Sequence, residues 1–135
     1  MKLTKNFTEI EFIWFDFFGD YQKRVISEYL NNRQKYVSSL TELSQNLQVL
    51  RDYYCESVVI TAGFRPKFWE ILQGRSGNSK HIECIAADFK IKGVKPKDIS
   101  ETIEKLIVDG KMKEGGIGVY SSWVHYDIRG TKARW

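Results

Sequence analysis

The chain has 135 residues, 42% of them hydrophobic and 14% aromatic, enough to build one core and too apolar for a disordered linker. Its net charge of +4 arises from Lys and Arg spread beside 17 acidic residues, so an anionic partner is compatible with the charge, but no basic run or motif marks a nucleic-acid binder. Glu9, Glu11, Asp16 and Asp20 interrupt the opening twenty residues, so neither the apolar region of a signal peptide nor a membrane span is expected there.

In chain order, "NFTEIEF" offers Asn6 or Thr8 as a cap for a short turn whose Phe7 and Phe12 pack inward. The aromatic run "FIWFDFF" reads as core wall. Val25, Ile26, Tyr29 and Leu30 are spaced for a helix from Tyr21 to Leu30, followed by a polar break at "NNRQK". Val37, Leu40, Leu43, Leu47 and Leu50 recur at helical period, with Ser38 or Ser39 as the expected cap. "SVVITAGF" is β-branched and ends at Gly63, the pattern of a buried strand entering a loop, and Gly74, Gly77 and Asn78 mark a further loop. A second strand is expected from about Ile85 to Ile91. "KPKDISETIEKLIVDG" predicts a helix capped by Asp98 or Ser100, with Ile103, Leu106 and Ile107 on one face and Gly110 as its stop. "GGIGVY" and "WVHYDIRG" read as two antiparallel strands. Helices first and a small antiparallel or mixed sheet after make an α+β pattern, in one domain, without the βαβ alternation of a dinucleotide fold. Cys55 and Cys84 lie in no C-x-x-C pair and are expected as free thiols.

The chain has only two histidines, His81 and His125, and each has an aspartate nearby, Asp88 and Asp127. A catalytic zinc site needs three protein ligands and one open position, and His81, Asp88 and His125 would supply imidazole, carboxylate and imidazole. That requires a loop presenting His81, a strand bringing Asp88 beside it, and His125 on an adjoining strand. Strand periodicity places Asp127 on the same face as His125, where it could take a proton from water or hold the histidine in orientation. Spacing does not choose between those roles. Arg65 follows the first strand and offers a fork of donors suited to a substrate carbonyl or carboxylate. A structural His–Asp hydrogen bond is the plainer alternative for each pair.

Four ordered segments carry more: "VVITAGFRP", "NSKHIECIAADFKIKG", "GGIGVY" and "WVHYDIRGTKARW". In order and spacing they resemble the zinc D-Ala-D-Ala carboxypeptidase family, whose fold is shared with Hedgehog signalling domains and whose motifs read "ITSGYR", "S-x-H-x-x-G-x-A-x-D" and "VHxDxRG". The match covers about residues 58 to 135. The resemblance implies a zinc peptidase acting on peptidoglycan stem peptides or cross-bridges, with His81, Asp88 and His125 on zinc, Arg65 anchoring or polarising the substrate, and Ser79 fixing the loop that presents His81. It implies a Hedgehog/DD-peptidase-like fold, expected here as a monomer, and without an export signal it suits a phage-borne protein delivered to the cell wall or carried on a virion.

Three positions depart from the family pattern. Cys84 stands where glycine is usual and Ala62 where serine is usual. Several branches carry an acidic residue three positions before the last histidine, where this chain has Ser122; Asp127 is then the expected base, with Glu114 a weaker substitute. These departures sustain a second reading, a catalytically silent wall-binding or structural module with the same fold.

Overall fold

The computed structural model describes residues 1–135. Helices α1 (Gln22–Asn31), α2 (Arg33–Tyr54), α3 (Lys67–Leu72) and α4 (Pro96–Val108) pack with a five-stranded sheet of β1 (Val58–Ala62), β2 (Ala86–Ile91), β3 (Gly116–Val119), β4 (Val124–Asp127) and β5 (Ala133–Arg134). The strand order is β1-β2-β4-β3-β5. Every pairing is antiparallel except β3 with β5, which is parallel. This is the expected α+β architecture, and the sheet is mixed.

The strands alternate faces, and that alternation separates core from site. Ala87, Phe89 and Ile91 of β2 and Val124 and Tyr126 of β4 join one apolar cluster with Leu40, Leu43, Leu47 and Leu50 of α2 and Ile99, Ile103 and Leu106 of α4. The four α2 leucines are fully buried, each contributing about 1.5–3 kcal/mol of transfer free energy. Asp88, His125 and Asp127 occupy the intervening positions of β2 and β4 and therefore face away from that cluster.

Several elements differ from the pattern read in the sequence. The "NNRQK" break shrinks to Asn32, and α2 starts at Arg33 rather than near Ser38, because the polar residues Arg33 to Lys35 sit on its solvent side and need no apolar partner. α4 begins at Pro96, N-capped by the backbone of Lys95, since proline at the first helical position has no N–H to leave unsatisfied. β1 is an edge strand, with Val59 exposed, rather than a buried one. α3 and β5 have no counterpart in that reading. In the aromatic run, Phe12, Ile13 and Phe18 are buried, whereas Trp14 and Phe17 are exposed. The opening turn is a 3-10 turn at Glu9–Phe12 with a Thr8/Glu11 capping box, and Phe7 and Phe12 are buried as expected.

Phe12 links this N-terminal layer to the site. The Phe64 N–H donates to the Phe12 carbonyl at 2.7 Å, and a Cβ on Gly63 would lie 2.5 Å from that oxygen. Only glycine permits so close a backbone approach. Both cysteines are free. No helix is long and apolar enough to cross a membrane.

Candidate metal centre

His81 sits in a 3-10 turn, Lys80–Glu83, capped by the Ser79 hydroxyl, which accepts the His81 backbone N–H at 3.2 Å. The turn ends at Cys84 in the left-handed region, φ 60°. Glycine takes that conformation without cost, whereas a residue with a Cβ is held there by its surroundings. The Cys84 thiol is fully buried in the apolar cluster, where burial pushes its pKa well up, and it is not among the three residues whose donor atoms converge.

Asp88 and His125 are direct cross-strand partners in the β2–β4 register, and Ala62 pairs with Asp88 from the other side. The His81 Nε2 lies 3.3 Å from Asp88 Oδ1, and the His125 Nδ1 lies 3.1 Å from the same oxygen. One ligand atom from each of the three residues falls within 4.8 Å of the others.

The second nitrogen of each imidazole fixes what the first can do. His81 Nδ1 lies 2.8 Å from the Gly63 carbonyl, which can only accept, so Nδ1 carries the proton and Nε2 keeps its lone pair. His125 Nε2 donates to Asp127 Oδ2 at 2.8 Å, which leaves Nδ1 facing Asp88. Neutral imidazoles so arranged point two lone pairs at one carboxylate oxygen, an arrangement relieved by a proton or a cation between them. Bond lengths of 2.0–2.1 Å in a tetrahedral zinc site imply donor–donor edges of about 3.3–3.4 Å, close to the two short separations. The donor set fits zinc, and outer hydrogen bonds of this kind orient metal-bound histidines.

Electrostatics differ between the two imidazoles. Burial lowers the pKa of His81, more than the Asp88 carboxylate raises it, which favours the neutral ligand form. Burial also acts downward on His125, but the hydrogen bonds with Asp127 and Asp88 outweigh it and the pKa rises. Asp88 and Asp127 are each pushed up by burial and pulled further down by their donors, so both sit well below the usual carboxylate range.

Asp127 is fully buried and collects five donors. Its Oδ1 accepts from the backbone N–H groups of Gly116 and Arg129 and from Arg129 Nε, and its Oδ2 accepts from Arg129 Nη2 and His125 Nε2, all at 2.7–3.1 Å. A Cβ on Gly116 would collide with this carboxylate, and one on Gly118 with the Trp135 indole, so the glycines of "GGIG" make room for the site. Asp127 does not line the cavity over the three candidate ligands. That cavity, about 330 Å³, is bounded by Arg65, Arg75, Ser79, His81, Asp88, His125 and the aromatic side chains of Tyr120, Trp123 and Trp135.

Arg65 Nη1 approaches Asp88 Oδ2 at 3.8 Å, and its Nε lies 3.2 Å from the buried Glu70 carboxylate. Ser122 is exposed in the turn between β3 and β4 and is not part of the cavity. Glu114 is committed to Arg134, at 2.7 Å, and to the Gly115 N–H. Sequence reasoning did not reach Glu70, Arg75 or the aromatic wall. The only trace of the first two was a possible helix start at Pro66, which puts "KFWEIL" in a turn of helix and Glu70 at its inner side.

Two imidazoles and one carboxylate converge at the foot of a cleft on a mixed sheet, a donor set that could hold a metal ion. The chain belongs to the Peptidase M15 family, whose model matches residues 21–127. This is the zinc D-Ala-D-Ala carboxypeptidase-like family that the motifs of the second half resemble, and membership suggests metallopeptidase action on peptidoglycan-type substrates. No curated protein and no solved structure matches the chain significantly.

Proposed function

We propose that the protein is a zinc peptidase that hydrolyses peptide bonds of peptidoglycan stem peptides or cross-bridges. The carrying observation is the convergence of His81 Nε2, Asp88 Oδ1 and His125 Nδ1, with both remaining ring nitrogens already hydrogen-bonded. When bound, zinc supplies Lewis-acid polarisation of the scissile carbonyl and lowers the pKa of a coordinated water toward about 7.

The chain's own residues supply placement. Gly63 and Asp127 hold the two imidazoles in the tautomers that face Asp88. Arg65, beside Asp88 at the cavity wall, offers guanidinium donors to the oxygen on which negative charge develops as the carbonyl is attacked. Tyr120, Trp123 and Trp135 form an aromatic wall of that cavity. In this reading Asp127 acts through His125 as a positioning residue, because five donors already occupy its oxygens and none of it reaches the cavity.

The same observation favours a second reading. Asp88 is the only carboxylate lining the cavity, so a module that binds metal and wall peptide without hydrolysis is the competing function. Digestion of purified peptidoglycan by the parent protein and His81→Ala, with mass analysis of the fragments, separates them. Zinc-dependent cleavage lost in the variant supports the peptidase; stoichiometric zinc with intact peptidoglycan supports the silent module.

A further inference from the structure

The 3-10 segment Asp16–Tyr21 leaves two aromatic rings partly in solvent, Phe17 at 44% and Tyr21 at 42% exposure, and neither belongs to the apolar core. Single exposed apolar residues are ordinary, but these two belong to one array. Phe17 stacks nearly parallel to Phe15 at 5.1 Å, touches Phe18 at 4.5 Å, and has its ring centroid 6.1 Å from that of Trp69. Tyr21 meets the same Trp69 edge-on at 5.8 Å. Rings held by other rings are fixed in orientation before a ligand arrives.

Phe17 and Trp69 line a cavity of about 260 Å³ together with Ala62, Gln73, Arg65 and Arg75. Arg65 and Arg75 also line the metal cavity, so the two spaces adjoin and share a wall. The lining combines two kinds of surface. Two aromatic rings and the methyl group of Ala62, at a position where the family pattern has serine, are apolar, whereas the Gln73 amide and the two guanidinium groups are polar. Glu70 engages Arg75 through Nη1 and Arg65 through Nε, which leaves the other Arg75 nitrogens without a protein acceptor. A purely apolar ligand group would desolvate those donors without pairing them, and a bare anion would leave the rings unused. A hexopyranose answers both demands: its C–H face lies on an aromatic ring while the hydroxyl and acetamido groups around its edge accept hydrogen bonds.

We infer that this adjoining cavity binds a sugar ring of the glycan strand that carries the stem peptides, a second foothold on the wall polymer beside the metal. The choice of polymer rests on the peptidase reading, whereas the sugar chemistry rests on the lining itself. Stem peptides are covalently joined to the glycan, so two cavities with a common wall can be filled by one substrate molecule. Insertion of Phe17 and Tyr21 into a lipid bilayer is the competing use of exposed rings. Asp16 and Asp20, both exposed on the same segment, oppose an anionic bilayer surface, and Phe17 is turned to a concave space rather than standing on a convex one.

The test is an NMR titration of the zinc-loaded protein with a β-1,4-linked tetramer of N-acetylglucosamine, which carries no peptide. Expected are saturable shifts of the Trp69 indole N–H and the Gln73 side-chain amide, with a Kd of about a millimolar, the scale of one shallow subsite. Phe17→Ala weakens binding about tenfold, the loss of one stacked ring. Trp14→Ala, which removes a more exposed ring outside the cavity, keeps the parental Kd. Gln73→Ala, at an exposed position, also weakens binding and carries the test if Phe17→Ala melts below the parent. The absence of any saturable shift overturns the inference, as do shifts confined to Tyr120, Trp123 and Trp135. Parental affinity in a Phe17→Ala protein that melts like the parent, or in Gln73→Ala where that variant carries the test, overturns it too. Binding to phosphatidylglycerol vesicles that is lost in Phe17→Ala, with no response to the tetramer, overturns it in favour of a bilayer. Cleavage of free stem peptide without tetramer binding removes the sugar site and leaves the peptidase standing. Tetramer binding without any cleavage retains the sugar site and removes the peptidase.

Discussion

Two buried carboxylates, Glu9 in the N-terminal layer and Asp88 on β2, show how similar inventories of charge serve different ends. Glu9 is surrounded by donors: Tyr29 Oη at 2.6 Å, and Arg33 through Nε at 2.9 Å and Nη2 at 3.0 Å. Its lone pairs are spent on the protein, and the cluster ties α1 and α2 to the opening turn. Asp88 instead faces two imidazole nitrogens whose partner nitrogens already carry their protons. Apart from Arg65 Nη1 at 3.8 Å from its Oδ2, its neighbours are ring nitrogens that can serve as lone-pair donors to a metal. A satisfied carboxylate is structural, whereas a carboxylate opposed by lone pairs is a place for a cation.

The sharpest way to break that contrast is to neutralise each carboxylate without changing its shape. Asp88→Asn is expected to abolish stoichiometric zinc binding and, with it, peptidoglycan cleavage, while Glu9→Gln keeps both. Metal analysis after dialysis reads the outcome. Zinc bound at parental stoichiometry in Asp88→Asn would refute the assignment of Asp88 as a ligand. Zinc should also raise the melting temperature of the parent and of Glu9→Gln, by mass action on the folded state, and leave Asp88→Asn unmoved.

Next in size are the residues that orient His125. Asp127→Asn keeps the shape but sets an NH2 group against the three donors on Oδ1 or the two on Oδ2. Zinc affinity should fall about 10- to 100-fold, as for other outer-sphere partners. Gly116→Ala pushes a methyl group into the same carboxylate and should give a loss of the same order. Competition with a chelator of known affinity measures both. A variant with altered hydrolysis but parental zinc affinity would instead return Asp127 to the role of base.

Legibility in the sequence followed the physics of each element. The α2 and α4 stripes were readable because leucine and isoleucine at helical period have one way to be buried. β2 and β4 were readable as apolar segments, and their motif residues suggested the His81, Asp88 and His125 set. Chain spacing carries no register, however. The pairing of Asp88 with His125 and the five donors on Asp127 are properties of the folded sheet. α3 was obscured because six residues between a proline and a glycine-rich loop show too little periodicity, and Glu70 and Arg75 were obscured with it. β5 is two residues long and exists only through its pairing with β3. Cys84 stood out as a departure from the family motif, and its φ of 60° shows the conformation that the departure must tolerate.

A smaller effect is expected on stability at Glu9. Removing the charge leaves Arg33 and the Tyr29 hydroxyl facing a neutral amide, and Glu9→Gln should destabilise the fold by about 1–3 kcal/mol, the scale of a hydrogen bond to a charged partner. Urea unfolding at neutral pH measures it. A Glu9→Gln midpoint equal to that of the parent would place Glu9 among ion pairs that contribute nothing measurable.

The smallest effect is the pH dependence of that same cluster, and it has a definite sign. Burial raises the pKa of the Glu9 carboxyl, but the hydrogen bonds from Arg33 and Tyr29 outweigh it and hold the group below its ordinary value of 4.5. The folded state therefore binds the proton less readily than the unfolded chain. The contribution of Glu9 to stability is complete above the unfolded pKa and is lost as pH falls from there through the lower folded value. Urea midpoints followed downward from pH 6 should decline in the parent more than in Glu9→Gln, and the two curves should converge in acid. If the difference between them is instead constant with pH, the glutamate acts through shape and packing rather than charge. Glu9 would then differ from Asp88 in chemistry as well as in surroundings.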